Sequence, residues 1–262
     1  MPLQRRSTAG LVALWVAFAY LASAQIASHE VPAEFELVRR FHAAVTAGDA
    51  AAALAHVAPH AVFTSFDLDW HVWNDDAAVA AHLGELIADG ARIEAELVAV
   101  LAEGSLVVTH DRTWSAALAP DLAPYRRTVV YLIEEGRIVA STAVLVAAQR
   151  DALAARRLVG TWRWVDAPFY FLFDADGGYR ASSALDDLRS AHPQDEGHYR
   201  VELGTLSIVS GDAARYCYVG QAGSYLLRFV DDALEFLLRD DACWTRRAPT
   251  SDPQTFRRIP TP

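Results

Sequence analysis

The chain has 262 residues, with 33 Asp and Glu against 23 Lys and Arg and a net charge of −10 at pH 7. That length allows one large domain or two small ones, and an acidic chain without a basic stripe argues against nucleic acid as a partner. Two cysteines, Cys217 and Cys243, are too few for a structural zinc site.

The N-terminus reads as a secretion signal over residues 1–24. Arg5 and Arg6 come first, then an unbroken apolar run over 11–21, then Ala22-Ser23-Ala24 ahead of Gln25. Eleven apolar residues fall short of the about 20 that a spanning helix needs. Cleavage after Ala24 is expected, with no membrane span remaining and a periplasmic or secreted mature protein. No second long apolar run follows.

A helix is expected from Pro32, because Phe35, Val38, Phe41 and Val45 recur at spacings of three and four. Gly48-Asp49 ends it and starts a short Ala-rich helix over 50–57, closed by Pro59. Residues 61–66 read as a strand. Asp75-Asp76 can cap a third helix that stops at Gly90. Strands over 93–101 and 106–118 turn at Glu103-Gly104, and strands over 125–133 and 138–146 turn at 134–137. Helices followed by a meander predict an α+β layout, a sheet with one face covered by helices. Residues 147–157 read as a helical connector.

Beyond Leu158 the pattern changes to short apolar-rich runs between turns: 160–165, 169–173, 179–182, 198–203, 206–209, 225–230 and 234–239. Such spacing predicts an all-β small barrel or sandwich. The expected division is 30–150 for the first domain and 156–260 for the second. Runs 225–230 and 234–239 form a hairpin turning at Asp231-Asp232. Cys217 lies 14 residues before that turn and Cys243 lies 11 after it, so both fall at its open end. A disulfide is expected there, contributing about 3 kcal/mol through the unfolded chain.

The segment from Glu30 to Val146 resembles the SnoaL-like branch of the nuclear-transport-factor-two-like superfamily. The resemblance rests on Phe41-His42-Ala43-Ala44 with Gly48-Asp49, His60-Ala61-Val62-Phe63, Val108-Thr109-His110-Asp111-Arg112, and Tyr131 with Glu135-Gly136-Arg137-Ile138. It implies a curved sheet wrapped into a cone by helices around a mostly apolar pocket. Members include polyketide cyclases, ketosteroid isomerases, epoxide hydrolases and proteins without catalysis, and cones of this kind often pair through the open sheet face. The segment from Leu158 to Ile259 resembles a small bacterial lipocalin-like domain, through Gly160-Thr161-Trp162 at its start and Asp241-Ala242-Cys243-Trp244-Thr245-Arg246-Arg247 near its end. In that domain Trp162 is expected to close one end of the barrel with Arg246 or Arg247 over its ring. The aromatic side chains either line a cavity or fill it.

Candidate chemistry gathers in the first domain. Along one strand His110, Arg112 and Trp114 share one parity, and Asp111 and Thr113 share the other, so His110 and Asp111 cannot both face a pocket from a regular sheet. His110, Asp111 and Tyr131 are the candidates for acid–base work, which needs an ionisable group aimed at the substrate. The strand over 138–146 supplies no carboxylate. A pocket mouth built from Trp70, His71, His110, Trp114 and Tyr131 is expected, binding a small apolar molecule with no cofactor and no metal. Ala43, Ala44 and small residues of the last strand would leave the volume. His42, His56 and His82 read as solvated or capping helix residues.

Overall fold

The computed structural model describes residues 31–116, 120–190, 193–212, 214–215, 217–243, 246 and 253–260. Residues 1–24, where a secretion signal is expected, and Arg247 lie outside the described residues. Among these, the residues up to Phe66 together with Trp70–Val146 form one compact unit. Asp67–Asp69 and the residues from Ala147 onward form the second.

The first unit is an α+β cone. Helix α1 (Ala33–Thr46) buries Phe35, Val38, Phe41 and Val45, the stripe its spacing prescribes. It ends at Gly48, whose φ of +78° suits glycine best. The Asp49 side chain caps α2 (Ala50–Ala55) by accepting from Ala52 N–H at 2.9 Å. This helix is shorter than expected because Val57 is taken by strand β1 (Val57–Phe66), where it pairs with Ile138. Pro59 sits where the pairing register shifts, with His60 at φ +61°, and an irregular stretch tolerates a missing N–H.

Strand β2 (Trp70–Trp73), which the sequence pattern does not mark, pairs antiparallel with β1 as the sheet edge. Helix α3 (Asp76–Ala88) is capped by Asp75, which accepts from Ala78 N–H at 2.7 Å. Strands β3 (Arg92–Leu101), β4 (Leu106–Trp114), β5 (Tyr125–Glu134) and β6 (Arg137–Leu145) complete the sheet. The order is β2-β1-β6-β5-β4-β3, and β1–β6 is its parallel pair. The β5–β6 turn places Glu135 and Gly136 at φ +50° and +71°, the left-handed pair a tight hairpin needs. Phe63, Val79, Leu83, Val107, Val129 and Ile138 join the α1 stripe in one core. Each such side chain contributes about 1.5–3 kcal/mol when fully buried.

The second unit starts with α4 (Ala147–Leu158), which buries Ala154 and Leu158 in the barrel core. Asp151 holds it there, accepting from the N–H groups of Leu203 and Gly204 at 2.8 and 3.0 Å. Eight antiparallel strands then close into a barrel: β7 (Gly160–Trp164), β8 (Tyr170–Phe173), β9 (Gly178–Ser182), β10 (Asp195–Glu202), β11 (Thr205–Ser210), β12 (Ala222–Val230), β13 (Ala233–Asp241) and β14 (Gln254–Arg258). The sequence reading had seven; β14 joins β13 to β7 and completes the circle. Phe171, Phe173, Tyr179, Phe236 and Phe256 fill the interior, with Phe236 and Phe256 ring centroids 4.7 Å apart. The open choice between cavity and filling is thus decided for filling.

Candidate functional site

Two periodicities bring three polar side chains together inside the cone. On β4, Val107, Thr109, Asp111 and Thr113 alternate inward, and on β5 Val129 and Tyr131 do the same. From above, α1 contributes His42, four residues after Val38 and three before Val45, on the same buried stripe. His42 Nε2 lies 2.7 Å from the Tyr131 hydroxyl, which donates to Asp111 Oδ2 at 3.2 Å. Thr109 donates to the other Asp111 oxygen at 2.6 Å. His42 and Asp111 are each 3 % exposed, and Nε2 stands 3.5 Å from Asp111 Oδ2.

Burial pushes the His42 imidazole below its ordinary range, against the opposing pull of Asp111. Burial also holds the Tyr131 phenol well above its ordinary range, and the charge and hydrogen bond of Asp111 add to this. At neutral pH the set therefore contains a neutral imidazole and a protonated phenol.

His42 also lines an open groove of about 470 Å³ between α1 and the edge strand β3, with Arg39, Ala43, Thr46 and Ala47 on the helix side and Ile93, Glu94 and Ala95 on the strand side. Ala95 is the cross-strand neighbour of Asp111. The network thus lies directly behind the groove wall. Nδ1 of His42 is buried and has no hydrogen-bond partner.

The expected pocket mouth is not assembled. His110 faces outward and is exposed, with Nδ1 3.3 Å from the Thr128 hydroxyl, because inward-facing Asp111 forces its neighbour to the opposite face. Trp70, 56 % exposed, and His71 stand on the edge strand β2, away from the α1–β3 groove. Trp114 is half-buried under the Arg92 guanidinium, 4.4 Å from its ring. Of the expected set only Tyr131 reaches the interior, together with the alternative candidate Asp111. His42, expected as a solvated or capping residue, is instead a member of the network.

His82 stacks on Trp73, ring centroids 3.6 Å apart at 18°. Burial, with the charges of Arg127 and His71, lowers its pKa to about 4. Among the described residues no three His, Cys, Asp or Glu side chains come together as a metal-holding group.

In the barrel, Arg258 rather than Arg246 lies over Trp162, its guanidinium 4.5 Å from the ring. Arg258 on β14 is the cross-strand partner of Trp162, so the strand missed in the sequence carries the missed contact. Trp162 Nε1 donates to the Leu158 carbonyl at 2.7 Å. Arg246 is fully buried instead. Its Nε and Nη2 grip the two Asp241 oxygens at 3.0 Å, and its Nη1 reaches Asp195, Tyr179 and Ser210. Cys217 and Cys243 are bridged with Cα atoms 5.3 Å apart, as the hairpin geometry required.

No curated protein matches the chain. Among solved structures, the epoxide hydrolase/cyclase-like enzyme SalBIII of salinomycin pyran-ring formation is 18% identical, covering 44% of this chain and 92% of its own, with a TM-score of 0.37. An epoxide hydrolase of M. tuberculosis is 16% identical over 44% of this chain and 83% of its own, TM-score 0.35. An NTF2-like protein of Mesorhizobium loti is 21% identical over 45% and 97%, TM-score 0.37. Residues 38–141, the stretch that carries His42, Asp111 and Tyr131, match the family model of the SnoaL-like domain.

Proposed function

We propose that this is an exported protein whose SnoaL-like domain binds a small apolar or amphipathic molecule in the groove between α1 and β3. The observation that carries this reading is the groove itself: about 470 Å³, open to solvent, walled by Ala43, Ala47, Ala95 and Ile93, and backed by the His42–Tyr131–Asp111 network. Small apolar walls with a few polar groups are the usual make-up of a ligand site. The leader pattern and the disulfide support an oxidising compartment. The barrel, lipocalin-like in its Gly160–Trp162 opening, serves in this reading as a packed companion. Exposed Val62, Trp70 and Val72 on β1 and β2 support pairing of two copies through the cone.

Native mass spectrometry of the protein taken from its own host tests the reading. The expected result is a non-covalent small-molecule adduct, lost when Ala43→Trp fills the groove. An adduct that persists in Ala43→Trp sinks the assignment of the groove.

A second reading, general acid–base catalysis, draws on one observation: His42, Tyr131 and Asp111 stand in hydrogen-bond sequence, with the histidine neutral. Turnover of the adduct molecule by the wild type but not by His42→Ala would favour it over simple binding.

A further inference from the structure

The protons of the buried network can be assigned one by one. Asp111 takes Thr109 O–H on Oδ1 and Tyr131 O–H on Oδ2. Tyr131 has then spent its one proton. Its oxygen still faces His42 Nε2 at 2.7 Å, so the hydrogen there must come from Nε2. A neutral imidazole carries one N–H, and Nδ1 is left as a bare lone pair. Asp111 Oδ2, 3.5 Å from Nε2, favours the same tautomer.

We infer that Asp111, directly and through Tyr131, fixes Nδ1 of the groove-lining His42 as a hydrogen-bond acceptor, so that the groove selects small neutral apolar molecules bearing a hydroxyl or N–H donor. The inference rests on the ligand-binding reading of that groove and adds its polarity. Three observations meet in it. Nδ1 is buried without a partner, and an unmatched buried acceptor costs about 1–3 kcal/mol, which a donor on a ligand would recover. His42 belongs to the groove lining. Negative charge stands behind the wall at Asp111, while the charged side chains of the lining are already paired, Arg39 with Glu36 at 3.1 Å and Glu94 with Arg92 and Arg112. A carboxylate ligand would be desolvated against that charge, whereas a neutral donor would not.

Three probes of one ring system separate the possibilities: naphthalene, 2-naphthol and 2-naphthoate, titrated into the full mature chain at pH 7. Nitrogen-15 imidazole spectra of the same protein report the His42 tautomer without any ligand. The expected spectrum shows the proton on Nε2. 2-Naphthol should bind about tenfold more tightly than naphthalene, with 2-naphthoate weakest. In Asp111→Asn the tyrosine loses its anionic acceptor and turns its proton toward Nε2. The histidine proton then moves to Nδ1, and the preference for 2-naphthol should shrink to about twofold or less. A wild-type proton on Nδ1, or equal binding of naphthalene and 2-naphthol, overturns the acceptor inference and leaves the groove reading standing. Failure of all three probes to bind overturns both. The tautomer measurement needs no variant, so a poorly folding Asp111→Asn does not protect the idea.

Discussion

The cone and the barrel each bury a polar network, and the two differ in charge and in what lies beside them. In the barrel, Nε, Nη1 and Nη2 of Arg246 all have acceptors, Asp195 Oδ1 is buried without a partner, and the surrounding interior is filled with aromatic rings. Its cation meets two carboxylates, Asp195 and Asp241, and the disulfide joins the neighbouring segments. In the cone, the network is held by neutral His42 and Tyr131 around one carboxylate, and it leaves a nitrogen without a partner beside open volume. A guanidinium so fully matched is spent on holding its own fold together. An unmatched acceptor in a residue that lines a groove can still accept a hydrogen bond from something else. On the proposed reading, the barrel cluster is structural and the cone cluster is the one that meets a ligand.

The largest expected effect breaks the barrel side. Arg246→Met removes the cation that pairs with Asp195 and Asp241 and leaves two buried carboxylates without it. The cost should be about 3–5 kcal/mol, far above that of losing an exposed ion pair. Hydrogen exchange read on β12 and β13 peptides checks it, and unchanged protection there would mean the cluster is not structural. A smaller effect belongs to the cone and depends on pH. His82 in the folded cone has a pKa near 4 against 6.5 for the free side chain, so below pH 6.5 the unfolded chain binds a proton that the folded one refuses. Stability is therefore complete above about pH 6.5 and declines as pH falls toward about 4, by about 2–3 kcal/mol. His82→Phe keeps a ring on Trp73 and should flatten that decline; an identical slope in the variant would show that other groups carry it.

The sequence showed more of the scaffold than of the site, for reasons that can be located. Apolar spacing gave α1, turn residues gave the β5–β6 hairpin, and the cysteine positions gave the bridge. The parity argument on β4 correctly set His110 against Asp111 but had no means of choosing a face, because both alternating sets mix polar and apolar residues. His42 carried a usable signal: it sits at i+4 from Val38 and i−3 from Val45, on the helix face already identified as buried. Strand β14 escaped because its five residues, Gln254–Arg258, offer Phe256 as their sole apolar side chain. With it went the pairing that sets Arg258 over Trp162.

The smallest expected effect sharpens the contrast between the two networks. Tyr131→Phe deletes a hydroxyl that touches both His42 and Asp111. If the cone network were built on an ion pair like that of Arg246, losing its central member would be among the costliest changes in the domain. The geometry points the other way. Asp111 keeps the Thr109 hydroxyl, and His42 Nε2 already stands 3.5 Å from Asp111 Oδ2, so a modest shift closes a direct contact and leaves no charge unpaired. Phenylalanine also fills nearly the same volume, which avoids a cavity penalty. The expected cost is about 1 kcal/mol, read as hydrogen-exchange protection on β4 and β5 peptides. Since the direct contact still places the proton on Nε2, the bare Nδ1 and the preference for 2-naphthol over naphthalene should survive. A loss as large as that of Arg246→Met, or a proton transferred to Nδ1, would show that Tyr131 is the keystone of the cone and that the two networks are alike after all.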